Sequence, residues 1–165
     1  MTASDPHSLT LRRMLASDHP AVAALTVADE QKPFVDPMPL TLETTGLQRD
    51  NFVVETDASI AGFFQINTRP PDYIEQPLLE LCQVLIDKSQ QGHGLGKKLI
   101  QRLPKVLKRE YPDASGIVLT VNCRNKLAYH VYQAGGFCDT GDIYTGGPSG
   151  PQHIMSMCWD TGSAQ

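Results

Sequence analysis

The hydrophobic and polar positions along the chain predict strands that alternate with helices. Seven apolar or partly alternating runs have the length of strands: residues 9–14, 51–55, 60–67, 78–86, 117–121, 137–144 and 153–159. The run 78–86 is predicted as a buried strand from its length and composition, although periodicity alone does not distinguish it from a helix. After it, Leu95, Leu99, Leu103 and Leu107 recur every four residues, which predicts one buried face of a helix.

The remaining segments are predicted as shorter helices and loops. Three helices are predicted at residues 21–25, 40–46 and 125–134, the last ended by Gly135 and Gly136. The proline-containing segment 30–39 is predicted as a loop or a broken helix, and the proline-rich segment 68–76 and the turn 145–151 are predicted loops. Pro104 lies inside the central helix and removes one of its hydrogen bonds, so we expect a bend or a restart of the helix there.

This order of elements predicts an α/β domain of two or three layers with a partly parallel sheet, because parallel neighbours need crossover helices. The chain has 165 residues and no internal repeat, so a single domain is predicted over residues 1–165. We expect the polar ends, residues 1–7 and 161–165, to be flexible.

Composition narrows the class of partner. The formal net charge of −4 gives no broad attraction to nucleic acid or to an anionic membrane. No apolar segment resembles a secretion signal or approaches the length of a membrane span. The four cysteines are scattered without metal-ligand spacing, which predicts reduced thiols, no metal site and a cytoplasmic location.

A glycine-rich turn between the run 78–86 and the central helix is the first candidate for chemistry. Gly92, Gly94 and Gly96 bring backbone amides to a helix N-terminus, where an anion such as a phosphate binds. The dinucleotide fingerprint and the nucleotide P-loop do not fit, because Lys97 stands where the first needs its third glycine and Lys98 where the second needs Ser or Thr. A tight turn without a ligand is the alternative.

Two ordered motifs carry a resemblance to a known family. Residues 91–96 match Q/R-x-x-G-x-G/A, and residues 125–137 match N-x-x-A-x-x-x-Y-x-x-x-G-F. Together they resemble the GNAT superfamily of N-acetyltransferases, and the resemblance is strongest over residues 78–137. The short segments 30–35 and 150–155 also loosely resemble bacterial acetyltransferases of the diamine and polyamine type.

The resemblance implies a fold and a cosubstrate. It implies the GNAT-type acyl-CoA N-acyltransferase fold, a mixed sheet of about six to seven strands with flanking helices and a splayed cleft for acetyl-CoA. Backbone near residues 84–86 is expected to pair with the pantetheine arm, and the amides of the glycine turn to hold the diphosphate. The residues expected to bind the cofactor are Val84, Leu85, Ile86, Gln91, Gly92, His93, Gly94, Leu95, Gly96, Lys97, Asn125 and Tyr132.

The resemblance also implies direct transfer of an acetyl group to a primary amine. A strand amide would stabilise the oxyanion, and Tyr132 would donate a proton to the departing thiolate. Glu80 is predicted as a catalytic general base, because some members carry a glutamate on this strand at comparable spacing. Strand alternation predicts that Glu80 shares a face with Cys82, Val84 and Ile86. The alternative is a carboxylate at the solvated end of the strand, and His153 is a weaker candidate for the base.

Acceptor specificity is assigned to the two proline-containing loops. Gln31, Phe34, Asp36 and Tyr73 are the predicted substrate-binding residues, and Asp72 and Glu75 would add negative charge to the same rim. An acidic, partly apolar rim suits a cationic small-molecule amine held in a closed pocket. The alternatives are a lysine or N-terminal peptide acetyltransferase, which would need an open groove, and a non-catalytic acyl-CoA-binding module. A homodimer is compatible with the resemblance, although the sequence identifies no interface.

Overall fold

Seven strands and three α-helices are found in the part of the chain that the computed structural model describes, which is residues 8–27, 29, 32, 48–57, 59–69, 71–147 and 150–159. The strands are β1 (Leu9–Arg13), β2 (Arg49–Thr56), β3 (Ser59–Asn67), β4 (Leu79–Ile86), β5 (Gly116–Asn122), β6 (Cys138–Tyr144) and β7 (Gln152–Cys158). The helices are α1 (His19–Ala23), α2 (Leu95–Glu110) and α3 (Lys126–Gly135). The helix predicted at 40–46 and the flexible ends predicted at 1–7 and 161–165 lie outside the described residues.

All seven strands belong to one mixed sheet in the order β1-β2-β3-β4-β5-β7-β6. The pair β4–β5 is parallel and the other neighbours are antiparallel. The parallel pair is joined through α2, as a crossover connection requires. The predicted α/β architecture and the partly parallel sheet are therefore confirmed.

Different helices pack against the two faces of the sheet. On one face, Leu99, Leu103 and Leu107 of α2 are fully buried against Phe52 and Phe64 of the sheet, with α3 beside them. This confirms the helix face predicted from the four-residue spacing of the leucines. On the opposite face a smaller cluster joins α1 to β2, β3 and β4 through Val22, Leu25, Val53, Phe63 and Leu85.

Helix α2 runs without interruption through Pro104, so the expected restart does not occur. A proline inside a helix costs about 3 kcal/mol. Leu103, Val106 and Leu107 surround it and are buried in the sheet-side core. Full burial of each such side chain contributes about 2 kcal/mol, so together they outweigh the cost of the proline and hold the helix in one piece.

A β-bulge in β4 changes which side chains face the helices. Leu81 pairs with Ile66 of β3, but the next pair joins Gln83 to Gln65, so that Cys82 is an extra residue on β4. Leu79 and Leu81 pack in the core beneath the helices, and after the bulge Val84 and Ile86 pack there instead. The prediction that Glu80 shares a face with Val84 and Ile86 is wrong, because the extra residue reverses the alternation between them.

Candidate functional site

A cavity of about 630 Å³ opens where β4 and β5 separate. The two strands pair only at Leu79–Ile117 and Glu80–Val118, and no further pair is formed towards their carboxyl ends within the described residues. The space between them is closed by the start of α2 and by α3. The cleft predicted between the central strand and the next parallel strand is therefore present.

The glycine turn forms the mouth of this cavity on the helix side. Gly92 and Gly94 have φ values of 85° and 75°, in the left-handed region that favours glycine, and Gly94 is the N-cap of α2. Within the described part of the chain, the amides of residues 92–97 donate to no protein acceptor. The positive end of the α2 dipole adds to these free donors, so the turn has the geometry of an anion site.

The side chain of Gln91 ties this turn to the end of β4. Its Nε2 atom donates to the carbonyl oxygen of Ile86 at 2.9 Å, and the residue also lines the cavity. Asp87, between them, accepts hydrogen bonds from the amides of Ser89 and Thr26. These contacts hold the start of the turn against the end of β4.

Most residues predicted to bind the cofactor line this one cavity. They are Val84, Leu85, Ile86, Gln91, Gly92, Gly94, Leu95, Gly96, Lys97, Asn125 and Tyr132. His93 is exposed in the same turn and does not line the cavity. Asn125 is the N-cap of α3, where its Oδ1 atom accepts from the amide of Ala128 at 3.3 Å. Gly96 also serves packing, since an added Cβ atom would lie 3.3 Å from Cγ1 of Val131 on α3.

Tyr132 lies in the wall of the cavity with its ring edge-on to Phe137, at 5.9 Å between centroids. Its hydroxyl has no hydrogen-bond partner among the described residues. Burial raises the pKa of Tyr132 to about 12, because the phenolate form is poorly solvated there. The residue therefore keeps its proton near neutral pH and presents an uncommitted donor to the cavity.

The cavity also has a polar lining that the sequence analysis missed. Cys82, Gln83, Thr120, Asn122 and Gln152 line it from strands β4, β5 and β7. On β5 these polar residues alternate with Ile117, Leu119 and Val121 of the helix-side core, so they face the opposite side of the sheet. The cavity thus passes through the gap between β4 and β5, from an apolar face under the helices to a polar, uncharged face beyond. The alternation in residues 117–122 was the available signal.

Glu80 lies beside this polar lining and not in it. Its Oε2 atom accepts from the hydroxyl of Tyr73 at 2.5 Å, and its Oε1 atom accepts from Nδ2 of Asn67 at 3.1 Å. The Cys82 thiol, which does line the cavity, lies 3.6 Å from Oε1. Burial and the neighbouring Glu80 carboxylate raise the pKa of Cys82 to about 12 and also raise the pKa of Tyr73.

The remaining candidates lie elsewhere. Gln31, Phe34 and Asp36 lie outside the described residues. Asp72 and Glu75 are exposed and do not line the cavity, so the described residues do not form the acidic rim expected of them. His153 also lies outside the cavity lining, where its Nδ1 atom is 3.5 Å from Oδ2 of Asp139.

The described residues contain neither a candidate metal-binding cluster nor a candidate membrane-spanning helix. No group of three or more His, Cys, Asp or Glu side chains within them is placed to hold a metal ion. None of the helices in this part of the chain has the length and apolar character needed to span a bilayer.

Known proteins share both the sequence pattern and the fold. Residues 13–137 match the model of the acetyltransferase (GNAT) family. The uncharacterized N-acetyltransferase YbbJ of Bacillus subtilis (strain 168) is 29% identical over 142 residues, which cover 82% of this chain and 88% of that protein.

Solved structures with the same fold were found at lower identity. AAC(6')-Ib in complex with paromomycin and acetyl-CoA has a TM-score of 0.74 at 22% identity, covering 92% of this chain and 93% of that chain. Spermidine N-acetyltransferase from Vibrio cholerae, in complex with CoA and spermine, has a TM-score of 0.68 at 22% identity, covering 91% and 95%. Because the family model spans well over half of the sequence, the chain belongs to the acetyltransferase (GNAT) family and is an N-acetyltransferase whose acetyl donor is acetyl-CoA.

Proposed function

We propose that the enzyme transfers the acetyl group directly to a primary amine of a small molecule. The observation that carries this proposal is the cavity that passes through the gap between β4 and β5. One end meets the free amides of the glycine turn, and the other meets the polar residues Thr120, Asn122 and Gln152. The two substrates therefore approach from opposite faces of the sheet and meet between the strands.

The residues present fit coenzyme A on the helix side. The free amides of residues 92–97 and the start of α2 suit a diphosphate, and Lys97 adds a positive charge at the same mouth. Beyond Glu80, the edge of β4 that faces β5 has no strand partner within the described residues, so its backbone is available to the amides of a pantetheine arm. Acetyl-CoA supplies the acetyl group as an activated thioester when it is bound.

We assign to Tyr132 the role of general acid, which donates a proton to the sulfur of the departing CoA thiolate. Its hydroxyl has no partner within the described residues, it lines the cavity, and its raised pKa keeps the proton in place. A donor that is already held at the reacting end loses little freedom during the reaction. We assign to an amide on the free edge of β4 the hydrogen bond to the carbonyl oxygen of the thioester, on which negative charge develops during attack.

The amine must also lose a proton before or during attack. None of the described residues that line the cavity carries a carboxylate or an imidazole. Glu80 therefore reaches the cavity only through neighbours such as Cys82, and its role as the general base remains a prediction. Polar side chains along the open face allow water to carry the proton away.

Two considerations support a small acceptor. A volume of about 630 Å³ for the whole cavity falls in the range of about 300–1,000 Å³ that small-molecule sites occupy. Two proteins of the same fold form complexes with paromomycin and with spermine, both of which are small amines. The uncharged lining suits an acceptor that is held by several hydrogen bonds, with its reacting amine neutral.

A thiol-release assay with acetyl-CoA and a panel of amines tests the proposal. The panel contains polyamines, aminoglycosides, amino acids and short lysine peptides, and the background is thiol release without an amine. We expect amine-dependent release with at least one small amine and release near background with the peptides. Release with peptides alone would assign the enzyme to peptide acetylation. Tight CoA binding without release for any amine would favour a binding module.

A further inference from the structure

We propose that Glu80 is a positioning residue on the acceptor side of the cavity, the polar face from which the amine approaches. Its carboxylate fixes Tyr73 and Cys82 and does not itself take the proton from the amine. The inference deepens the proposed function and rests on it, because it concerns the face from which the amine approaches. It replaces the prediction of a catalytic base with a role that follows from the contacts of the carboxylate.

The oxygens of Glu80 are already occupied by protein donors. Tyr73 donates to Oε2, and Asn67 and Cys82 donate to Oε1, at 2.5, 3.1 and 3.6 Å. A carboxylate offers about four acceptor positions, so the three donors leave about one of them for any other group. Glu80 is the residue after Leu79, which packs under the helices, so strand alternation puts the Glu80 side chain on the opposite face of the sheet. On that face Cys82 lines the cavity and Glu80 does not.

The bond to Tyr73 holds a segment that has little else to hold it. Residues 71–77 connect β3 to β4, and within the described residues their other hydrogen bonds are local, from Ile74 to Pro71 and from Leu78 to Gln76. The Tyr73–Glu80 bond is the hydrogen bond that joins this segment to the sheet in the described part of the chain. Without it, the contacts that remain to Tyr73 among the described residues are apolar and aromatic, with Leu78, Val118 and Ile154 and with the ring of Tyr144.

Tyr73 in turn supports the far wall of the acceptor side. The centroids of the Tyr73 and Tyr144 rings lie 5.1 Å apart, at an interplanar angle of 45°. Tyr144 pairs with Gln152 in the β6–β7 ladder, and Gln152 lines the cavity. Gly146 lies directly against Tyr144, since an added Cβ atom would lie 2.8 Å from the hydroxyl oxygen of Tyr144.

One carboxylate therefore holds both sides of the opening. It reaches the β4 side through the Cys82 thiol and the β7 side through Tyr73 and Tyr144. Loss of the carboxylate is expected to loosen the acceptor side while the helix side, where coenzyme A binds, keeps its geometry. This predicts a defect in acceptor binding and not in the chemical step.

Kinetics of Glu80→Gln, Tyr73→Phe and the double variant distinguish the two roles. For a positioning residue, we expect each single variant to raise the acceptor KM about fivefold, as loss of one buried hydrogen bond predicts. We expect kcat within about threefold of wild type and a double variant no worse than about one single variant, because both changes act on the same charge-assisted bond, one by removing its charge and the other its donor. The pH profile of kcat should keep its ascending limb.

A general base gives a different pattern. Loss of such a base lowers the rate by about 10²–10⁴-fold. A fall of kcat of this size in Glu80→Gln, with the ascending limb lost and Tyr73→Phe near wild type, would overturn the proposal. So would an unchanged acceptor KM in both single variants.

Tyr129→Phe is the matched control, because Tyr129 also donates to a carboxylate, Oδ2 of Asp139 at 3.0 Å, but does not line the cavity. Its acceptor KM should equal that of wild type. If no small amine is acetylated, urea unfolding of wild type, both single variants and the double variant tests the bond by itself. A coupling between Tyr73 and Glu80 no larger than that between Tyr129 and Asp139, measured with Asp139→Asn, would overturn the anchoring role.

Discussion

Gly135 of α3 lies so close to Ile100 of α2 that a Cβ atom added to the glycine would stand 2.6 Å from the Cβ atom of Ile100. Real Cβ atoms do not approach this closely, and the Cβ atom of Ile100 is fixed to its backbone. The contact sets how near the two helices lie, and the cavity is bounded by residues of both. Gly135 is thus a packing residue as well as the last residue of α3.

Gly135→Ala should therefore destabilise the protein. Overpacking of a core contact costs about 1–3 kcal/mol, which exceeds the gain of at most about 1 kcal/mol from alanine in a helix. Urea unfolding measures the change. Gly96→Ala is the comparison on the same helix pair, because its added Cβ atom would lie 3.3 Å from Cγ1 of Val131, a tight contact that a small shift of this side chain relieves. Its loss of stability should therefore be clearly smaller than that of Gly135→Ala. Equal stability of the two variants would contradict a packing role for Gly135.

The free amides of the glycine turn lead to a second prediction. Gly94→Asp and Gly94→Asn place side chains of nearly equal size at a residue with φ of 75°. Nothing lies within 4 Å of the added Cβ atom, so both variants should fold with a similar backbone cost. The carboxylate would repel a diphosphate while the amide would not. We expect Gly94→Asp to bind CoA at least about tenfold more weakly than Gly94→Asn in titration calorimetry at low salt.

Equal affinities of these two variants would show that the turn does not carry the negative charge of the cofactor. Raising the salt concentration provides an internal check, since screening should narrow the difference between the two variants.

Much of this site was predictable because its signals are local. The spacing of Leu95, Leu99, Leu103 and Leu107 depends on one helix alone, and all four are buried as predicted. The two motifs are also continuous in sequence, and the fold brings nearly all of their predicted residues to one cavity. Local patterns of this kind survive folding because neighbouring elements do not alter their period.

The orientation of Glu80 was not predictable in the same way. The β-bulge in β4 depends on how this strand pairs with Gln65 and Ile66 of β3. The sequence of β4 alone does not encode that pairing. One extra residue then exchanges the two faces for everything that follows. Gln152 was missed for a related reason, since it reaches the cavity only because β7 pairs with β5.

The hydroxyl of Tyr132 should matter to turnover more than to binding. Tyr132→Phe removes one oxygen that has no protein partner within the described residues, so the fold should be undisturbed. Loss of a general acid lowers the rate by about 10²–10⁴-fold. We expect a fall of kcat in this range with the affinity for CoA within about twofold, measured by steady-state kinetics and calorimetry. Unchanged kcat would remove Tyr132 from the mechanism.

The same residue predicts a pH dependence of stability. Burial raises the pKa of Tyr132 to about 12 in the folded protein, above its ordinary value of 10.0. Both states keep the proton below about pH 9, so the residue contributes no slope there. Above that pH the unfolded chain loses the proton first, and the free energy of unfolding falls until about pH 12. Two pKa units correspond to about 2.7 kcal/mol at most.

Wild type should therefore lose more stability than Tyr132→Phe between about pH 9 and pH 11.5, in urea unfolding at a series of pH values. Tyr73 and Tyr111 also have raised pKa values, but they are present in both proteins and cancel in the difference. Parallel curves for the two proteins would contradict the burial of the Tyr132 hydroxyl.

The Cys82 thiol should be resistant to alkylation although it lines the cavity. Burial and the charge of Glu80 raise its pKa to about 12, and the thiolate is the reactive form. Cys138 and Cys158 are exposed and serve as reference thiols in the same molecule. At about pH 8 we expect iodoacetamide to modify Cys82 at least about 100-fold more slowly than these two, as followed by peptide mass spectrometry. Removal of the neighbouring charge in Glu80→Gln should speed the reaction at Cys82 and leave the other two rates unchanged, whereas equal rates in both proteins would show that Glu80 does not act on the thiol.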